Sequence, residues 1–100
     1  MYNILLVCAA GMSTSMLVKK MERAADNQKL EVKIQAIPEA EVTKHSNEAD
    51  IILLGPQVRF MKDKIQEKAG VTPVEVIDMA SYGTMNGEKV LKSAIERIEG

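Results

Sequence analysis

The residue with the most chemistry to offer is Cys8, the one cysteine of the chain, and Ala9-Ala10-Gly11-Met12-Ser13-Thr14-Ser15 follow it. An apolar run, Ile4-Leu5-Leu6-Val7, leads into the cysteine, and a helical pattern starting near Thr14 leads out. A strand, a loop of small residues and a helix N-terminus in that order describe an anion cradle. Successive backbone N–H groups can point at one centre there, and the helix dipole adds roughly half a positive charge. The same field lowers a thiol pKa, so Cys8 would be a thiolate aimed at a bound phosphoryl group. A strand-end cysteine can equally be a small buried hydrophobe. The permissive Ala9-Ala10-Gly11 and the hydroxyls of Ser13, Thr14 and Ser15 favour the nucleophile.

Several phosphate chemistries can be compared with this loop. A nucleotide P-loop sets Gly-Lys-Ser/Thr at the helix start, and Lys19-Lys20 come more than a turn too late. A Cys-x5-Arg phosphatase loop has the right length, yet Thr14 stands where the arginine belongs. That arginine clamps the equatorial oxygens of a transferring phosphoryl group. A redox pair needs a resolving cysteine, and a receiver-like regulator needs an aspartate after the third strand, where Leu54-Gly55 stands. What remains is a loop able to take a phosphoryl group on sulfur without an evident device for passing it to water. A small cysteine-dependent phosphatase or arsenate reductase stays as the alternative, and turnover of an aryl phosphate would separate the two.

The elements that must position the loop are legible as an alternation. Tyr2 to Val7 is nearly continuous in apolar character, as a strand buried on both faces should be. Leu17, Met21, Ala24 and Ala25 mark a helix from about Thr14 to Gln28, with Ser13 or Thr14 as N-cap. Leu30 to Ala36 alternates strictly, the mark of an edge strand with one exposed face. A short helix is expected over Glu39 to Lys44 after Pro38. Ile51-Ile52-Leu53-Leu54 is the second continuous run and stops at Gly55-Pro56. Val58, Met61, Ile65 and Ala69 predict a helix ended by Gly70, and Pro73 to Ile77 a short edge strand. Asp78 to Gly87 reads as a loop with Tyr82-Gly83 and Asn86-Gly87 as turns; Val90, Leu91, Ala94, Ile95 and Ile98 stripe a last helix.

This β-α-β-α-β-α-β-α order calls for an α/β fold: one three-layer domain over residues 1–100, with helices on both faces of a four-stranded parallel sheet. Right-handed crossovers with the continuous runs in the centre give the strand order 2-1-3-4. The switch point of such a sheet lies beside the carboxyl end of strand one, where ligands bind, and Cys8 falls there.

Composition narrows the setting. Thirteen basic and 14 acidic residues nearly cancel, and no Lys/Arg cluster suggests nucleic acid. No apolar stretch approaches the roughly 18 residues of a membrane span, and the N-terminus lacks a signal-peptide pattern. One cysteine excludes an internal disulfide and a Cys-based zinc site. A cytoplasmic protein without metal or cofactor is expected.

Cys8-x-Ala-Gly-Met-Ser-Thr-Ser after an apolar strand resembles the phosphorylation loop of the IIB component of the sugar phosphotransferase system, of the lactose/cellobiose/chitobiose type. The resemblance extends to Leu53-Leu54-Gly55-Pro56-Gln57, to Val74-Glu75-Val76-Ile77-Asp78 and to Tyr82-Gly83. It implies the fold of the low-molecular-weight cysteine phosphatases. It further implies that Cys8 accepts a phosphoryl group from a phosphohistidine on a IIA protein and passes it to a sugar bound by the membrane IIC component. The sugar would be a β-linked disaccharide such as cellobiose, chitobiose or lactose, and the protein would work at the inner face of the membrane when engaged with IIC. Loop residues Ala9, Ala10, Gly11, Met12, Ser13, Thr14 and Ser15 would hold the phosphate. Met12, Met16, Gln57 and Tyr82 are the candidate partner-docking rim, the two methionines as adaptable apolar surface. Asp78 reads as a helix cap rather than a general acid, and His45 as a surface residue.

Overall fold

A computed structural model describes residues 1–7 and 12–100, the first three residues of the opening helix by backbone alone. Four parallel strands, β1 (Tyr2–Val7), β2 (Val32–Ile37), β3 (Ile51–Leu54) and β4 (Val74–Val76), stand in the order β2-β1-β3-β4. That is the expected order, with the two continuous apolar runs in the centre. The register aligns the carboxyl ends: Val7 lies opposite both Ile37 and Leu54, and Leu54 opposite Val76.

Because side chains alternate along a strand, β1 feeds two separate cores. Ile4 and Leu6 join Leu17, Met21 and Ala25 of helix α1 (Met12–Asn27) and Val90, Leu91 and Ala94 of helix α5 (Gly87–Glu99). Leu5 and Val7 join Ile37, Ile52, Leu54, Val58 and Ile65 on the opposite face. There the cover is α2 (Val42–His45), flanked by 3-10 turns, and α3 (Lys62–Ala69), entered through a 3-10 segment, Pro56–Met61. Three layers result, and α1 and α5 meet along their length on one of them.

Four expectations need correction, the fourth at the start of α3. Helix α1 starts at Met12, two residues before Thr14, so Ser13 and Thr14 occupy its first turn and neither is the N-cap. Within β2, Ala36 is exposed and Ile37 is buried in the opposite core, because the strand runs one residue past the alternating stretch, to Ile37. The expected loop from Asp78 to Gly87 contains a helix, α4 (Met79–Gly83). Its five residues carry no apolar stripe, and what starts it is chemical: the Asp78 carboxylate accepts from the Ser81 N–H at 3.0 Å and from its hydroxyl at 3.1 Å.

Other boundaries follow local chemistry. Val58 has φ −117 and ψ 21, which breaks the helix expected to begin there and leaves α3 to start at Lys62. Gly70 ends α3 with φ 67 and ψ −118, a conformation that side chains resist. Pairing at β4 reaches one residue beyond each end: Pro73 O accepts from Ile52 N, and Ile77 N donates to Leu54 O.

Candidate active site

The sheet's carboxyl edge gathers the segments singled out from sequence. At the end of β1 the Val7 carbonyl accepts a hydrogen bond from the Gly55 N–H at 3.2 Å, so the chain departs toward Cys8 beside the turn that ends β3. Gly55 leaves room for its neighbours to fold over it. A Cβ there would stand 2.5 Å from Gln57 Oε1 and 3.5 Å from the Tyr82 ring. Gln57 Nε2 donates to the Tyr82 hydroxyl at 3.1 Å, joining the loop after β3 to helix α4. Two residues of the candidate rim, 25 positions apart, therefore form one wall at the switch point.

Helix α1 presents its N-terminus to the same edge. Its first turn holds no acidic residue to offset the positive end of its dipole. Ser15 and Met16 are exposed, Met16 at 57%. Cys8, Ala9, Ala10 and Gly11 lie outside the described residues, as do the side chains of Met12, Ser13 and Thr14.

Asp78 caps α4, and the backbone N–H of Ser81, seconded by its hydroxyl, holds the carboxyl below its ordinary value. A carboxylate held charged by two donors is suited to capping and not to supplying a proton. His45 is partly exposed and stands 3.6 Å from Glu41. Sequence reasoning passed over Phe60, Met79 and Arg59, which line an open groove against Gln57 and Tyr82. The available signal was that Phe60, the one phenylalanine, falls off the Val58, Met61, Ile65, Ala69 stripe.

The family model described as "PTS system, Lactose/Cellobiose specific IIB subunit" matches residues 3–93. The chain belongs to the lactose/cellobiose-type IIB family. It is 45% identical over 98 residues to the PTS system cellobiose-specific EIIB component of Lactococcus lactis subsp. lactis, covering 91% of each chain. The galactose-specific EIIB component of Lactococcus lactis subsp. cremoris is similar to the same extent, 45% over 98 residues and 91% of each. The solution structure of the cellobiose-specific phosphotransferase IIB component from Borrelia burgdorferi superposes with a TM-score of 0.83 at 45% identity, over 98% of this chain and 92% of that one. As a IIB component this protein is a transferase of the sugar phosphotransferase system and serves sugar transport. Among the described residues, no helix is long and apolar enough to cross a membrane.

Proposed function

We propose that this IIB chain is a phosphocarrier whose covalent site is Cys8, in a single domain spanning residues 1–100. The observation that carries the reading is the junction of β1 with α1: a strand at the sheet's switch point, then Cys8, then a helix N-terminus free of acidic residues. The donor is a phosphohistidine on a IIA protein. The Cys8 thiolate attacks its phosphorus, the S–P bond forms as the N–P bond breaks, and the imidazole, protonated on its other ring nitrogen, takes the bonding pair and leaves neutral. In the second step a sugar hydroxyl held by the membrane IIC component attacks the same phosphorus. The O–P bond forms, its proton passes to a base on the acceptor side, and the thiolate leaves.

Backbone N–H groups from Ala9 through Ser15 hold the phosphoryl oxygens, with the hydroxyls of Ser13 and Thr14 as further donors. Met12, Met16, Gln57 and Tyr82 form the rim on which partners dock. Work of this kind places the protein in the cytoplasm, at the inner face of the membrane while engaged with IIC. No cofactor or metal enters either step. The sugar in this reading is a β-linked disaccharide bound by IIC; relatives equally similar to this chain carry cellobiose, a disaccharide, and galactose, a monosaccharide, in their names, so the choice of sugar rests with IIC and not with this chain.

The test is mass spectrometry after incubation with phosphoenolpyruvate, the general phosphotransferase components and the cognate IIA. One phosphoryl group on Cys8 is expected, with none on a Cys8→Ser variant, because a hydroxyl stays protonated where this thiol ionises. Full labelling of the serine variant, or labelling of the wild type elsewhere, overturns the assignment.

A further inference from the structure

Beside the Gln57–Tyr82 wall, the carboxyl edge carries an open groove of about 510 Å³. Its apolar content is unusual for an exposed surface: Phe60 is 80% exposed and Met79 62%. Each belongs to a different segment, Phe60 to the 3-10 turns after β3 and Met79 to the first turn of α4. The kink at Val58 accounts for the arrangement. It turns Val58 into the core, 3% exposed, and leaves Phe60 two residues later facing out. Single exposed apolar residues are ordinary, but two that line one groove form a patch suited to a partner. An exposed aromatic, a tyrosine, an adaptable methionine and an arginine are also the types that concentrate binding energy at interfaces.

Charge selects the partner. Among the described residues that line the groove, the one charged group is Arg59. A carrier of this kind meets two partners in turn, a phosphohistidine protein and a membrane protein. Cytoplasmic loops of membrane proteins carry an excess of lysine and arginine, which Arg59 would repel. The phosphohistidine partner arrives with a dianionic phosphoryl group and has no such bias against carboxylates. We infer that the Phe60–Met79 groove seats an apolar side chain of the phosphorylated IIA donor, with Arg59 facing an acidic group of that partner, and that the membrane acceptor does not use it. The inference rests on the proposed reading of Cys8 as a relay and adds a division of labour: a surface for loading that is not a surface for unloading.

The two half-reactions separate the possibilities. A Phe60→Ser/Met79→Ser double variant and an Arg59→Glu variant alter exposed side chains, so their melting temperatures should stay near the wild type, which circular dichroism checks. With phosphorylated IIA as the variable reactant, kcat/KM for loading should fall by about tenfold or more in the double variant, through KM and with kcat nearly unchanged. Arg59→Glu should slow loading as well and flatten its dependence on salt. For unloading, the phosphorylated variants are isolated after prolonged incubation at high IIA and mixed with IIC-containing membrane vesicles and sugar; their rates should match the wild type. Unchanged loading overturns the inference. Equal slowing of both steps overturns its selectivity, and slowing of unloading alone assigns the groove to the membrane partner instead. Failure of the wild type to load at all would be a failure of the relay reading, recognisable because it needs no variant.

Discussion

Phosphorylated Cys8 should survive in water far longer than a phosphatase's phosphocysteine. Cleaving a sulfur–phosphorus bond with water calls for a placed nucleophile, a base to activate it and stabilisation of charge on the equatorial oxygens. Backbone donors can hold the ground state well, and only preferential binding of the transition state accelerates reaction. Thr14 occupies the position of the phosphatase arginine, so the strongest such contact is missing. Asp78, the carboxyl at the end of β4, is committed to capping α4 through Ser81. The isolated phosphoprotein, followed at neutral pH without partners, should decay over many minutes or longer. Decay within seconds, or turnover of an aryl phosphate, would revive the phosphatase alternative.

Two element junctions make predictions of their own. Helix α1 closes with a pair of bonds, Leu30 N to Ala25 O at 2.9 Å and Lys29 N to Asp26 O at 3.1 Å, a pattern that puts Lys29 in the left-handed region at φ 56. That conformation costs a side-chain-bearing residue on the order of 1 kcal/mol. Lys29 is exposed, so Lys29→Gly should raise stability by up to about 1 kcal/mol, or roughly 4–8 °C in melting temperature at this size. No change, or a loss, in a thermal melt would mean that the added chain entropy of glycine cancels the relief. Gly87 behaves oppositely. A Cβ there would lie 2.5 Å from Lys20 C and 2.6 Å from Met21 N, both backbone atoms of α1 that cannot swing aside. Gly87→Ala should therefore cost about 1–3 kcal/mol by forcing α5 away from α1. Because α1 carries the candidate loop at its N-terminus, loading of Cys8 should slow as well. Wild-type stability in this variant would show that the two helices are not held so closely.

For the molecule as a whole, pH should reveal which charges favour the fold. Asp78 is held below its ordinary 3.8 by the Ser81 N–H, and Glu39 below 4.5 by Lys68 and then Lys64. A carboxyl depressed in the folded state contributes stability that is present above its ordinary value and lost as pH falls through the folded one. Tyr2 has the opposite sense: its hydrogen bond to Glu99 raises it above 10.0, so its contribution is present below that value and lost as pH rises past it. Melting temperature should be flat with respect to these groups between about pH 5 and 9 and decline outside that range. Asp78→Asn keeps a capping acceptor and removes the charge, so it should lower the melting temperature at pH 7 by the charge's share and flatten the acid decline. An unaltered acid limb in that variant would remove Asp78 as a contributor.

Residue order alone determined the alternation of strands and helices and the strand order, and it puts Cys8 next in the chain after β1. Those features depend on hydrophobic periodicity and crossover handedness, which are local or nearly so. The continuous runs at Ile4–Val7 and Ile51–Leu54 could only be central strands, and Gly70 could only end a helix where it does. Tertiary structure decided what depends on contacts between distant segments. The Gln57–Tyr82 bond spans 25 positions, and the close approach of Gly87 to α1 depends on where two helices cross. Helix α4 has no apolar stripe, so its stretch reads as a loop, and the Asp78 cap that starts it is its one sign in the sequence. Phe60 and Met79 meet in one groove because a kink at Val58 and the end of β4 bring their segments to the same edge, and no periodicity in either segment records the other.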